Sequence, residues 1–291
     1  MEACAASPVV CNAFEQESRQ VVQCALIFRN RSHRWKPVPV FTPAEAEYFE
    51  RNGFVIARAL TSSGHCERLK SVAQRQLAAQ VGPLEYEADV KYPGSPASLE
   101  VPGGRTVRRL LQAYARDSLF RQWATSPQLS ARLQQLLGAD VELSQAHHNC
   151  VMTKNPAFSS ATGWHQDIRY WSFKRPELVS VWLALGPEHE ENGCLWLIPG
   201  SHRLDFRREQ FDDDKFFRTD LGENIPILET KIAAELDEGD VLFFHCRLLH
   251  AAGRNSTALT KFAAVFTYHA TENRPLPGTR SASSTEIALP Q

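Results

Sequence analysis

Hydrophobic and polar residues follow two different patterns along the chain. The amino-terminal part carries helix-capping signals and proline- and glycine-rich breaks, whereas residues 140–269 form short β-branched and aromatic runs separated by turns. No linker separates the two parts. Helices first and strands later within one chain predict an α+β fold.

The amino-terminal part is predicted to begin at a capping box. Thr42, Pro43 and Glu45 have the spacing of a helix start with proline at its first position, and Gly53 is the matching stop. The predicted elements that follow are a strand Phe54–Leu60, a helix from Ser62 or Ser63 to about Gln80, a loop Pro83–Gly104 over a pocket mouth, and helices Asp117–Thr125 and Pro127–Leu137.

The second part is predicted to be all strand. Its runs are Val141–Thr153, His165–Ser172, Val179–Leu185, Gly193–Ile198, Asp240–His245 and Lys261–His269. Strands this short and numerous favour a closed or two-sheet barrel such as the jelly roll, which removes exposed edges and leaves a cavity at one mouth. The acidic run Asp212–Asp214 is interpreted as a solvated loop.

Composition narrows the class of protein. The 291 residues are 43% hydrophobic with a net charge of −1, which supports a sizeable core and gives no reason to expect nucleic-acid binding. No apolar run approaches the roughly 18 residues of a membrane span, and residues 1–40 lack the pattern of a secretory signal. Seven cysteines without a C-x-x-C pair fit reduced thiols, so we expect a cytoplasmic protein.

One short motif carries candidate chemistry. His165 and Asp167 are two residues apart, which would place both side chains on one face of an extended strand. Together with the distant His250 they would form the two-histidine, one-carboxylate set of non-heme Fe(II) oxygenases, which leaves positions open for cosubstrate and oxygen. The spacing alone is weak evidence, because an H-x-D occurs by chance in many chains.

The residues around this motif resemble the phytanoyl-CoA dioxygenase family of Fe(II)/2-oxoglutarate oxygenases. The likeness covers about Phe41 to His269 with order and spacing preserved. Four stretches carry it, namely Phe41–Ala57, Gly163–Trp171, Val181–His202 with its N-G-C-L-W-L-I-P-G-S-H run, and Glu238–Asn255.

The resemblance implies a fold, a reaction and a ligand set. The fold would be a double-stranded β-helix (jelly-roll, cupin-like) core with amino-terminal helices packed on its outer sheet. His165, Asp167 and His250 would bind Fe(II). With 2-oxoglutarate and O2 as cosubstrates, the enzyme would hydroxylate a small molecule and release succinate and CO2. Related halogenases have a small residue in place of this aspartate, so Asp167 favours hydroxylation over halogenation.

The cosubstrate site departs from the family pattern. Relatives place an arginine eleven positions after the distal histidine, and this chain has Lys261 there. A lysine offers a point charge instead of a planar fork. We nevertheless expect Lys261 to anchor the distal carboxylate of 2-oxoglutarate, with Arg254 as the alternative and Trp182 beside the cosubstrate or in the core. Ala252 stands where relatives can have a hydroxyl.

Several alternatives stay open at this stage. His245 precedes the predicted ligand and is interpreted as structural. Arg105, Arg108 and Arg109 either steer an anionic substrate or have surface and packing roles. The protein could also be a non-catalytic member that binds metal or 2-oxoglutarate, or a cupin-like metal hydrolase or isomerase. Residues 1–40 are interpreted as an extension and 41–291 as one oxygenase domain; substrate identity and oligomeric state are not predicted.

Overall fold

The computed structural model describes residues 40–290 except Lys91, Pro93 and Ala139. The predicted extension 1–40 therefore lies outside the described residues, apart from Val40. Within the described part, no helix is both long and apolar enough to cross a membrane.

Six α-helices are described, most of them before the strand-rich part. They are α1 Pro43–Asn52, α2 Ser63–Ala78, α3 Ala113–Arg116, α4 Ser118–Ala124, α5 Pro127–Leu137 and α6 Ile225–Leu228. The first begins at the predicted capping box, because Thr42 accepts a hydrogen bond from the Glu45 backbone and Glu45 accepts one from the Thr42 backbone. Gly53 ends it with φ of 79°.

Twelve β-strands are described, and they form two antiparallel sheets. The strands are β1 Phe54–Ala57, β2 Leu84–Tyr86, β3 Val107–Leu111, β4 Val141–Lys154, β5 Thr162–His165, β6 Leu178–Ala184, β7 Leu195–Leu197, β8 Ile232–Ala234, β9 Val241–His245, β10 His250–Ala252, β11 Lys261–Ala270 and β12 Ile287–Ala288. The large sheet has the order β1-β9-β6-β11-β4-β3-β2, with β12 also paired to β4, and the small sheet has the order β5-β10-β7-β8.

The core has two layers, and alternate side chains of β6 point into one layer or the other. Val179, Val181 and Leu183 face the helices and join a cluster that contains side chains from α1 to α5. Trp182 and Ala184 face the opposite way and pack against the small sheet. The described residues form an α+β jelly roll with the amino-terminal helices α1 to α5 on the outer face of the large sheet, as predicted.

Several element boundaries differ from the sequence predictions. The strand predicted to run to Leu60 ends at Ala57, and the strand predicted over His165–Ser172 ends at His165. A 3₁₀ helix, Asp167–Tyr170, occupies the rest of that segment. Strands β2, β3, β8, β10 and β12 and helices α3 and α6 were not predicted, because most are shorter than the five or six residues over which alternation becomes visible.

Candidate active site

The two histidines of the predicted triad lie on neighbouring strands of the small sheet. His165 is the last residue of β5 and His250 is the first residue of β10, and the two are direct partners in the antiparallel ladder. Asp167 follows as the first residue of the 3₁₀ helix. The expectation that His165 and Asp167 share one face of a strand is therefore wrong, since the chain leaves the strand between them.

The three side chains nevertheless converge. Nε2 of His165 and Nε2 of His250 each lie 3.7 Å from Oδ1 of Asp167. One ligand atom from each residue lies within 4.8 Å of the other two. Among the described residues, this is the one group of three or more His, Cys, Asp or Glu side chains that could hold a metal ion.

Backbone carbonyls orient both imidazole rings. Nδ1 of His165 is 2.8 Å from the Gly163 oxygen, and Nδ1 of His250 is 3.0 Å from the Leu248 oxygen. Because a carbonyl can only accept a hydrogen bond, each Nδ1 carries a proton, which leaves Nε2 as the nitrogen that can bind a metal ion. Both Nε2 atoms are the ones that approach Asp167.

Electrostatics keep this set in the form that binds a cation. Burial and the neighbouring His250 lower the pKa of His165 to about 3, so its imidazole is neutral. Burial opposes ionisation of Asp167, but His148, His250 and His165, together with a hydrogen bond from Ser180, outweigh it and lower the pKa of Asp167. Two imidazole nitrogens and one carboxylate are the donors that a non-heme Fe(II) site uses.

Two side chains of the large sheet hold the other oxygen of Asp167. Oγ of Ser180 lies 3.3 Å from Oδ2 and donates a hydrogen bond to it, and Nδ1 of His148 lies 3.7 Å from the same oxygen. Oδ1 therefore remains directed at the two imidazoles. The sequence analysis did not identify either residue as part of the site. Ser180 could have been found, because it lies two residues before Trp182 in β6 and therefore on the same face of the strand.

A cavity opens beside the triad and extends between the two sheets. His165 and His250 line it together with Trp182, Leu195 and Ala252. Among the described residues, its basic lining consists of Arg108, Arg109, Lys154 and Lys261.

Lys261 lies in this cavity but already has a carboxylate partner. Its Nζ is 2.7 Å from Oε2 of Glu188, and the two side chains are 4% and 0% exposed. The other oxygen of Glu188 accepts a hydrogen bond of 2.8 Å from Nε1 of Trp182. Glu188 thus joins the two residues that were expected to bind 2-oxoglutarate. It lies in the loop after β6, where no periodicity marks it.

The arginines play different parts. Arg108 is buried and forms an ion pair of 3.2 Å with Glu87, so its charge is balanced within the cavity wall. Arg109 pairs with Glu85 at 2.8 Å and keeps about a fifth of its side chain exposed. Arg254 is exposed and is not among the described residues that line the cavity.

Other candidate residues lie away from the triad. His245 contacts the His202 ring, with 5.3 Å between the ring centroids, and burial lowers its pKa to about 3. Asp212–Asp214 is exposed, as predicted for a solvated loop. The described cysteines are buried free thiols, namely Cys66, Cys150, Cys194 and Cys246.

Sequence comparison relates the chain to one family. The family model for phytanoyl-CoA dioxygenase (PhyH) matches residues 49–263. Human peroxisomal phytanoyl-CoA dioxygenase is 25% identical over 231 residues, covering 75% of this chain and 65% of the relative. Ectoine dioxygenase of Halomonas elongata is 26% identical over 251 residues, covering 79% and 70%. The chain thus spans slightly less than two thirds of the mammalian peroxisomal phytanoyl-CoA dioxygenases that it matches.

Solved structures share the fold. EctD from S. alaskensis, crystallised with 2-oxoglutarate and 5-hydroxyectoine, superimposes with a TM-score of 0.67 at 20% identity, covering 83% of this chain and 80% of the other. The epimerase SnoN, in complex with Fe3+, alpha ketoglutarate and nogalamycin RO, gives 0.65 at 23% identity, covering 85% and 94%.

Proposed function

We propose that this chain, which belongs to the phytanoyl-CoA dioxygenase family, is an Fe(II)- and 2-oxoglutarate-dependent dioxygenase that hydroxylates a small-molecule substrate. The observation that carries the proposal is the convergence of His165, Asp167 and His250 at one end of a cavity that has basic side chains in its wall. Packing alone does not require that Nε2 of two buried histidines point at one carboxylate oxygen.

Each residue of the triad has a defined part in this proposal. His165 and His250 offer Nε2, and Asp167 offers Oδ1, so three positions on a six-coordinate ion stay free. Fe(II) bound there would supply the activation of O2 that the reaction requires. Asp167 also occupies the place that chloride takes in related halogenases, which favours hydroxylation.

The cavity wall would hold 2-oxoglutarate. Its keto-acid end belongs at the metal and its distal carboxylate at the basic part of the wall, where Lys261 is one hydrogen-bond donor and Trp182 lies alongside. The fit rests on the chemistry of the residues present, since a dicarboxylate needs a cation at the end remote from the metal. Related proteins crystallised with alpha ketoglutarate share this fold.

The test is succinate formation that depends on both Fe(II) and 2-oxoglutarate. The parent protein should produce succinate under air, and His165→Ala and His250→Ala should not. Each variant should also weaken Mn(II) binding by at least about 100-fold, because a lost ligand costs more than a lost supporting residue. His245→Ala is the matched control, since it removes a buried histidine outside the triad.

The outcomes separate the proposal from its alternatives. Metal binding by the parent without succinate formation would support a binding protein or a metal hydrolase or isomerase of the same fold. Unchanged Mn(II) affinity in both triad variants would refute the assignment of the ligands.

A cytoplasmic location is part of the proposal. It is supported by the buried free thiols of the described cysteines, which fit a reducing compartment. O2 and a small molecule are the proposed partners, and neither nucleic acid nor a membrane is among them. Fractionation of cells that express the full chain would test the location.

A further inference from the structure

Four basic side chains line the candidate cosubstrate cavity, and they differ in how their charges are balanced. Arg108 pairs with Glu87, Arg109 with Glu85, and Lys261 with Glu188, at 3.2, 2.8 and 2.7 Å. Lys154 has no carboxylate within ion-pair distance among the described residues, although it is buried.

The fold places Lys154 directly opposite Lys261. The two residues are partners in the ladder between β4 and β11, where the following inward pair on the same face is Met152 with Ala263. Both lysines therefore point between the sheets from the same end of the barrel. Glu188 balances the charge of Lys261, so Lys154 is the lysine of this pair that has no carboxylate within ion-pair distance among the described residues.

The direct hydrogen-bond partners of Lys154 are neutral, whereas Glu87 and Glu188 act on it only from beyond ion-pair distance. Its Nζ donates hydrogen bonds to the backbone oxygens of Ser160 and Gly253, which satisfies two of its three N–H groups. Burial and the positive charges of Arg108 and Lys261 lower the pKa of Lys154 well below its usual value. A buried ammonium group without a counter-charge is costly to the fold, and an anion that enters the cavity would supply that counter-charge.

We propose that Lys154 supplies the charge that binds the distal carboxylate of 2-oxoglutarate, while Lys261 and Glu188 form a neutral pair that supports the cavity wall. The inference rests on the proposed function and assigns its cosubstrate anchor to a residue outside the family-like position. Lys261 keeps a hydrogen-bonding role beside the distal carboxylate of 2-oxoglutarate, but Glu188 already balances its charge.

The experiment measures 2-oxoglutarate affinity of the full-length Mn(II)-loaded protein. Lys154→Met should raise the dissociation constant by about 100-fold or more, because it leaves a carboxylate without its cation in a buried site. The double variant Lys261→Met with Glu188→Gln removes the neutral pair as a unit and should stay within about tenfold of the parent.

Two controls make the assignment specific. The monocarboxylate 2-oxopentanoate, which has the same chain length but no distal carboxylate, should bind Lys154→Met and the parent equally. Adding Glu188→Gln to Lys154→Met frees the charge of Lys261 and should recover at least about tenfold of the lost affinity. Mn(II) affinity should be unchanged in every variant, which shows that the fold and the triad are intact.

Three results would overturn the inference. Lys154→Met that binds 2-oxoglutarate as the parent does would remove Lys154 as the anchor. A loss in the double variant Lys261→Met with Glu188→Gln as large as that in Lys154→Met would return the anchor to Lys261. A parent protein that binds Mn(II) but no 2-oxoglutarate would overturn the proposed function, and the inference with it.

Discussion

Replacement of Glu188 by glutamine tests the charge balance of the cavity wall through the stability of the protein. Glutamine keeps the length of the side chain and an oxygen that can accept from Nε1 of Trp182, but it leaves Lys261 without a counter-charge in a buried site. Breaking a buried ion pair by removing one partner costs about 3–5 kcal/mol. A lysine with an ordinary pKa near 10.4 can instead release its proton at pH 7, at a cost of about 4.6 kcal/mol. This cost is an upper limit on the destabilisation, because a larger penalty would make the lysine neutral.

The assay is urea denaturation of the metal-free protein at pH 7 and at about pH 9.5. At pH 7 the variant should lose about 3–4.6 kcal/mol of unfolding free energy. Its unfolded state holds lysine protons that the folded state can release at high pH, and stability rises with pH wherever the unfolded state binds more protons. The lowered pKa of Lys154 makes stability rise with pH in both the parent and the variant. In the variant the unpaired Lys261 adds a second rise, so the difference in unfolding free energy between the two proteins should be smaller at the higher pH.

Asp220→Asn is the matched control, because it also removes a carboxylate from an ion pair but at an exposed site. It should leave the unfolding free energy almost unchanged, because water and salt screen an exposed ion pair. The reasoning would be refuted if Glu188→Gln cost no more than this control, or if its cost were the same at both pH values.

Other predictions concern the residue that supports Asp167 and the glycine that ends helix α1. Ser180→Ala removes the hydrogen bond to Oδ2 of Asp167 and should weaken Mn(II) binding about tenfold; a variant that binds like the parent would show that Ser180 does not orient Asp167. Gly53→Ala and Gly138→Ala both place alanine at positive φ, which costs about 1–2 kcal/mol in denaturation experiments. Gly53→Ala should cost about 1–3 kcal/mol more, because its Cβ would lie 2.4 Å from the His202 ring, and equal costs would argue against that contact.

The sequence predicted the fold class because helix signals and strand signals occupy different parts of the chain, and the family resemblance predicted the places of Trp182 and Lys261. Trp182 and Lys261 face the space between the sheets, as the parity of β6 and β11 requires. The predicted strand after His165 was wrong, because a turn of 3₁₀ helix replaces it and still brings Asp167 to the histidines. Two residues are too few for periodicity to distinguish a strand from a turn.

The balance of charges in the cavity wall could not be predicted, because it depends on a carboxylate that lies in a loop. Glu188 lies outside every periodic segment, and only the folded chain brings it to Lys261. Lys154 lies one residue beyond the end at Thr153 that the sequence predicts for its strand. The predicted strand therefore did not include this buried lysine.

The placement of the two histidines opposite each other in one ladder has a consequence for how the molecule tolerates change. The spacing of His165 and His250 is set by hydrogen bonds between β5 and β10, and not by the long chain segment that joins them. The same segment carries Asp167 and strands β6, β7, β8 and β9, so only its loops can change in length without moving the site. An insertion in the stretch between β7 and β8 would raise the entropic cost of loop closure only slowly and would leave the pairing of His165 with His250 intact.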